Sequence, residues 1–140
     1  MENFQVTIRE LVRCYQAFEQ LSNRHIRAMD LTPAQFDIIA TLGNTQGMSC
    51  RELGEKTLIT KGTLTGVLDR LETRGIINRE TISEDRRSFR VYLSPKGEVL
   101  FENTFTRHLE YIRPFFSDLP EQKLVEMTNT FAELRSKFQD

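Results

Sequence analysis

The sequence predicts a mainly α fold with a small β wing, in which a winged helix-turn-helix is carried between long N- and C-terminal dimerisation helices. Three observations predict it. Residues 49–74, SCRELGEKTLITKGTLTGVLDRLETR, read as a short helix, a turn and a longer helix. Residues 76–82 and 89–93 follow as strand-like runs around a charged turn, Ser83-Glu84-Asp85-Arg86-Arg87. Apolar side chains recur at helical spacing over long stretches at both chain ends.

Residues 3–28 form one helix. Phe4, Ile8, Leu11, Tyr15 and Phe18 make an a/d seam, and Val12 and Leu21 widen it. Ser22 and His25 continue the seam into polar residues. A helix this apolar must cover itself against another surface. Thr32, Pro33 and Gln35 open the second helix as cap, first residue and capping-box partner. Its expected buried face is Phe36, Ile39 and Ala40, and it ends near Gly43-Asn44.

Ser49 and Glu52 form a capping box for the third helix. Leu53 faces inward, and Gly54 is expected at a close helix crossing. Thr57-Leu58-Ile59 makes the turn, and Thr60 caps the fourth helix. At about 100° per residue, Leu64, Val67, Leu68 and Leu71 share one side of that helix. Gly62, Gly66, Asp69 and Thr73 lie opposite, with Thr65 on the flank. Each interior glycine costs about 1 kcal/mol relative to alanine. Bare backbone on an outer face suits a helix that sits close in a groove, with Lys61, Thr63 and Thr65 near its leading end.

Arg74-Gly75 ends the helix. Residues 76–82 read as a strand, and Phe89, Val91 and Leu93 alternate with Arg90 and Tyr92 in the next. The hairpin tip holds Arg86 and Arg87, suited to the negative potential of a minor groove. Asp85 is expected to hold a neighbouring guanidinium in one pose. Ser94-Pro95 starts a further helix, with Val99, Leu100, Phe101, Phe105, Leu109, Ile112, Phe115 and Phe116 as its apolar residues. Pro120 starts the last, with Leu124, Met127, Phe131, Leu134 and Phe138. These terminal helices carry more apolar surface than one winged domain can cover, which points to a homodimer.

The 140 residues suit one domain: 31–97 as the winged helix-turn-helix, 1–30 and 98–140 as dimerisation helices. The net charge is −1, but its distribution is uneven. Residues 51–97 hold 10 basic and 7 acidic side chains, while 98–140 hold 5 and 8. Binding to DNA phosphate needs a basic face rather than a basic protein. Glu2 directly follows Met1 and no long apolar run is present, so a cytoplasmic protein without leader or membrane span is expected. Two histidines and two distant cysteines offer no metal-ligand spacing. Phosphate loops, nucleophile elbows and paired carboxylates are missing, so neither an enzyme nor a cofactor is expected.

Cys14 lies on the apolar side of the first helix and is expected as a small buried residue. Cys50 sits in the first turn of the third helix beside Arg51, a setting that lowers a thiol pKa. A cysteine-based redox regulator using Cys50 or Cys14 is therefore one alternative. A winged-helix module that binds protein instead of DNA is another; it has no need of tip arginines or bare outer glycines.

LTPAQF (31–36), the run 49–80 and EDRRSFRVYLSPKG (84–97) together resemble the MarR family of transcription regulators. Asp85 and Arg87 match its D-x-R wing tip, and Leu93-Ser94 stands where the family has Leu-Thr. The resemblance implies a homodimer joined by its terminal helices and reading a pseudo-palindromic double-stranded operator. Thr60, Lys61, Gly62, Thr63, Thr65, Asp85, Arg86 and Arg87 are then the expected DNA contacts. It also implies an effector cleft, for which Tyr15, His25, Met29, Phe36 and Tyr111 are the candidates, suited to a flat anionic ring. The expected function is a homodimeric repressor whose DNA affinity a small aromatic effector lowers.

Overall fold

The computed structural model describes residues 1–82 and 89–139. They form two compact units, Met1–His108 and Leu109–Asp140. The elements in order are α1 (Asn3–Ala28), α2 (Pro33–Leu42), β1 (Met48–Ser49), α3 (Cys50–Lys56), α4 (Lys61–Thr73), β2 (Ile77–Thr81), β3 (Phe89–Leu93), α5 (Pro95–Ile112) and α6 (Glu121–Phe138).

Local signals fix most helix starts. Thr32 and Gln35 close a capping box on α2, as do Ser49 and Glu52 on α3. Thr60 occupies the cap position of α4, yet its hydroxyl bonds the Thr63 hydroxyl at 3.2 Å rather than a backbone N–H. Helix α4 ends in a Schellman motif. Ile76 N–H donates to the Leu71 carbonyl and Gly75 N–H to that of Glu72, both at 2.9 Å. Gly75 takes φ +75° there, a backbone that a Cβ disfavours.

The first unit buries its core between α2, α3, α4, the sheet and α5. Ile38, Ile39, Leu42, Leu53, Leu68, Leu71, Ile76, Ile77 and Val91 are almost wholly excluded from solvent. The expected stripe on α4 is buried as read. The face of α2 differs from expectation. Ile38, Ile39 and Leu42 enter the core, while Phe36 and Ala40 are only partly buried. The buried positions are Gln35, Ile38, Ile39 and Leu42, one stripe at i, i+3, i+4 and i+7, and Phe36 and Ala40 lie to one side of it.

The wing is a three-stranded antiparallel sheet of order β1-β3-β2, not a two-stranded hairpin. Met48 and Ser49 pair with Val91 and Arg90. Residues 76–82 were expected as one strand; the ladder spans only Ile77–Thr81, because Ile76 is used in the α4 cap. Ser94 ties the end of β3 to the start of β2: its N–H donates to the Ile76 carbonyl at 2.9 Å, and its hydroxyl accepts from Gly97 N–H at 3.0 Å. A Cβ on Gly97 would collide with the Ile76 carbonyl oxygen. Gly97, rather than Gly54, is thus a close-approach glycine. Nothing lies within 4 Å of where a Gly54 Cβ would stand, so the expected crossing there is absent.

Helix α1 buries only Ser22 and Ile26. Phe4, Ile8, Val12, Tyr15 and Phe18 are exposed, and Leu11 is half-buried. Cys14, expected buried, is exposed as well, because it lies within this exposed stretch of α1. Helix α5 ends at Ile112, and Pro114 turns the chain into a short 3₁₀ segment, Arg113–Phe115. In the second unit, α6 buries none of its residues, and Val125, Phe131 and Phe138 are exposed.

Candidate nucleic-acid interface and adjoining groove

The outer face of α4 is bare. Thr60, Lys61, Gly62, Thr63 and Thr65 are all exposed, and a Cβ at Gly62 or Gly66 would meet nothing within 4 Å. The buried stripe opposite anchors this face to the core. Asp85, Arg86 and Arg87, expected at the wing tip, lie outside the described residues.

The base of the wing is clamped to α4. Arg79 of β2 donates through Nη2 to Asp69 Oδ1, and its Nε lies 3.3 Å from Glu72 Oε2, without a hydrogen bond's alignment. Its guanidinium also sits 5.5 Å over the Phe89 ring. Across the same ladder Arg90 Nη2 meets Glu80 Oε2 at 2.8 Å and stacks 4.8 Å over Tyr92. The two strands and α4 are thereby held in one orientation. The sequence places Arg79 on the strand read over 76–82, but nothing in it reveals the carboxylates ten and seven residues earlier.

An open groove of about 400 Å³ runs along α1, α2 and the α3–α4 turn. Tyr15 and Phe18 of α1, Phe36 of α2, and Leu58 and Ile59 of the turn supply apolar walls. Glu19 and Asp37 are its acidic members. Among the effector candidates, Tyr15 and Phe36 line this groove. Met29 caps α1 and packs against the core. Tyr111 belongs to the second unit, where its ring lies 5.9 Å from that of Phe115.

His25 meets His108 instead. Their Nδ1 atoms are 2.9 Å apart, and His108 Nε2 lies 3.0 Å from the Ser22 hydroxyl. The Phe36 ring packs edge-on at 4.9 Å from His108. An Nδ1–Nδ1 hydrogen bond needs one ring nitrogen without its proton. Burial lowers the pKa of both rings; nearby Arg107 adds to this for His25, and His25 itself for His108. The unfolded chain therefore takes up protons first as pH falls. Stability contributed by the pair is complete above the unfolded value of about 6.5. It is lost as pH drops from there through the folded value. The urea midpoint is expected to fall between about pH 7.5 and 5, less steeply in His108→Gln, and equal slopes in a pH series would refute the coupling.

Cys50 is half-buried in α3. Burial raises its thiol pKa, and only in part does Arg79 offset this. Arg51 turns away to Glu55, 3.4 Å from its Nε. The activating setting read from the helix start and Arg51 is thus outweighed. Asp37 and Glu19 were not singled out in the sequence, and Leu58 only as part of the α3–α4 turn. Asp37 is half-buried, and its Oδ2 accepts from Leu58 N–H at 3.5 Å. A single acid on an amphipathic helix carries no signal of such a partner. Among the described residues no group of three or more His, Cys, Asp or Glu is placed to hold a metal ion, and no helix is long and apolar enough to cross a membrane.

Residues 31–89 match the model of the MarR family. A helix-turn-helix-type transcriptional regulator of Bacillus cereus is 33% identical over 118 residues, 82% of this chain and 78% of the relative. The structure of NadR in complex with 4-hydroxyphenylacetate superposes with a TM-score of 0.74 at 26% identity, over 89% of each chain. That of BpsR from Bordetella bronchiseptica, whose DNA binding is regulated by 6-hydroxynicotinic acid, gives 0.77 at 25%, over 96% of this chain and 97% of that one.

Proposed function

Because the chain belongs to the MarR family of transcription regulators, we propose that it is a cytoplasmic homodimeric repressor that reads a pseudo-palindromic operator and releases it when a small effector binds. The bare outer face of α4 carries this reading. Gly62 and Gly66 let the backbone approach the groove floor, and Lys61, Thr63 and Thr65 stand around them. Thr60, Asp85, Arg86 and Arg87 complete the proposed contact set. In a two-fold dimer, each α4 enters a major groove about one helical turn from the other.

The exposed apolar residues of α1 and α6 support the dimer. NadR and BpsR, with their ring-acid ligands, support effector control. The groove beside the α3–α4 turn is the proposed effector site, with Tyr15 and Phe36 in its walls. A ligand there releases DNA only if it prefers the non-DNA conformation, and a tenfold loss of affinity takes about 1.4 kcal/mol of preference. The raised thiol pKa of Cys50 speaks against a redox switch.

Selection of bound sequences from a random DNA pool, followed by anisotropy titration of the enriched site, tests the reading. Enrichment of an inverted repeat is expected; no enrichment would favour a protein-binding module. On that site, Arg87→Ala should weaken binding by about 1–3 kcal/mol, and Asp85→Ala by less, with little change in thermal stability. Undiminished binding by Arg87→Ala would remove the wing from the interface. Peroxide treatment of wild type and Cys50→Ser should leave binding unchanged in both, and release confined to wild type would establish a thiol switch.

A further inference from the structure

We propose that the groove along α1 and α2 selects a hydrophobic aromatic cation, an arylalkyl ammonium in kind, and disfavours aromatic carboxylates. This rests on the effector-controlled regulator proposed above. Among the described lining residues there are two carboxylates, Glu19 and Asp37, and no lysine, arginine or histidine. An anionic ring would enter against two like charges and find no cation to pair with. Tyr15, Phe18 and Phe36 supply aromatic faces, whose negative quadrupole attracts cations. The volume, about 400 Å³, lies within the range of small-molecule sites and holds a two-ring skeleton.

Two further observations fit. Asp37 is half-buried, and burial pushes its carboxyl pKa up against the hydrogen bonds from Leu58 N–H and Thr41. A cation beside it replaces lost hydration and favours the ionised form. His25 and His108 stand behind Ser22, which lines the groove, but they are bonded to one another and shifted toward the neutral form. They do not turn the groove into an anion site at neutral pH.

The groove also has a mechanical link to α4. Leu58 and Ile59 are both its wall and the turn preceding Thr60. An ammonium paired with Asp37 shares a carboxylate whose Oδ2 accepts from the Leu58 N–H, which joins a ligand there to the turn before the DNA-reading helix.

Three naphthalene probes of nearly equal shape test this by calorimetry on the full chain at neutral pH: 1-naphthylmethylammonium, 1-naphthalenemethanol and 1-naphthoate. The ammonium is expected to bind at least tenfold tighter than either of the others. Asp37→Asn, which keeps an acceptor for Leu58 N–H, and Glu19→Gln, on an exposed helix surface, should each cut that preference severalfold. Naphthoate or the alcohol binding as tightly as the ammonium overturns the proposal. Exclusion of all three means that a second copy of the chain fills the groove, and overturns it equally. Selective ammonium binding that leaves DNA affinity unchanged sustains the ligand class and refutes effector control.

Discussion

Leu71→Ala is expected to lower the free energy of unfolding by about 2–5 kcal/mol. Leu71 is wholly buried, in one cluster with Leu53, Leu68 and Ile38. Its backbone carbonyl also takes the Ile76 N–H that ends α4. The substitution opens a cavity where the helix is pinned, and the rigid sheet beside it limits collapse. Against a typical total of about 5–15 kcal/mol, this is a large share. Urea unfolding monitored by circular dichroism measures it. Lys61→Ala is the contrasting variant. On the exposed face of the same helix, it should change stability by less than about 0.5 kcal/mol while weakening DNA binding. A loss below about 1 kcal/mol for Leu71→Ala would mean that the core is not organised as described.

Leu11→Asp should abolish dimer formation or folding. Leu11 sits half-buried amid the exposed Ile8 and Val12, in the seam proposed to meet a second chain. An unpaired carboxylate enclosed there costs several kcal/mol. Leu134→Asp on α6 probes the same association from the other chain end. Sedimentation velocity separates the outcomes: wild type as a dimer at micromolar concentration and the variants as monomers or unfolded chains. A monomeric wild type would refute the dimer.

What could be seen in advance followed from periodicity and caps. Leu64, Val67, Leu68 and Leu71 announce one buried side of α4, and Ser49 with Glu52 fixes the start of α3. Helix α2 was harder, because its apolar residues extend past the buried stripe of Gln35, Ile38, Ile39 and Leu42, one member of which is polar. Gly54 and Gly97 illustrate the limit for glycines. Sequence marks both as small, but only the fold shows which one a neighbouring backbone crowds. The site was half legible. The exposed residues of α4 follow from being opposite the core stripe. The meeting of His25 with His108, 83 residues apart, and the bond from Asp37 to the α3–α4 turn are tertiary facts without a local trace.

The Arg79 clamp bears on how many counterions leave the DNA. Residues 51–97 contain 10 basic side chains. If each met a phosphate, the logarithm of affinity would fall with the logarithm of salt at about 0.9 per contact. Arg51, Arg79 and Arg90 are already balanced by Glu55, by Asp69 with Glu72, and by Glu80. A cation already paired with a carboxylate of its own chain displaces less sodium from the duplex. The salt exponent then reflects the few remaining basic groups rather than the full set. Non-specific attachment depends on that exponent almost entirely, so ion pairs that look like mere scaffolding also keep the protein from being held on arbitrary DNA.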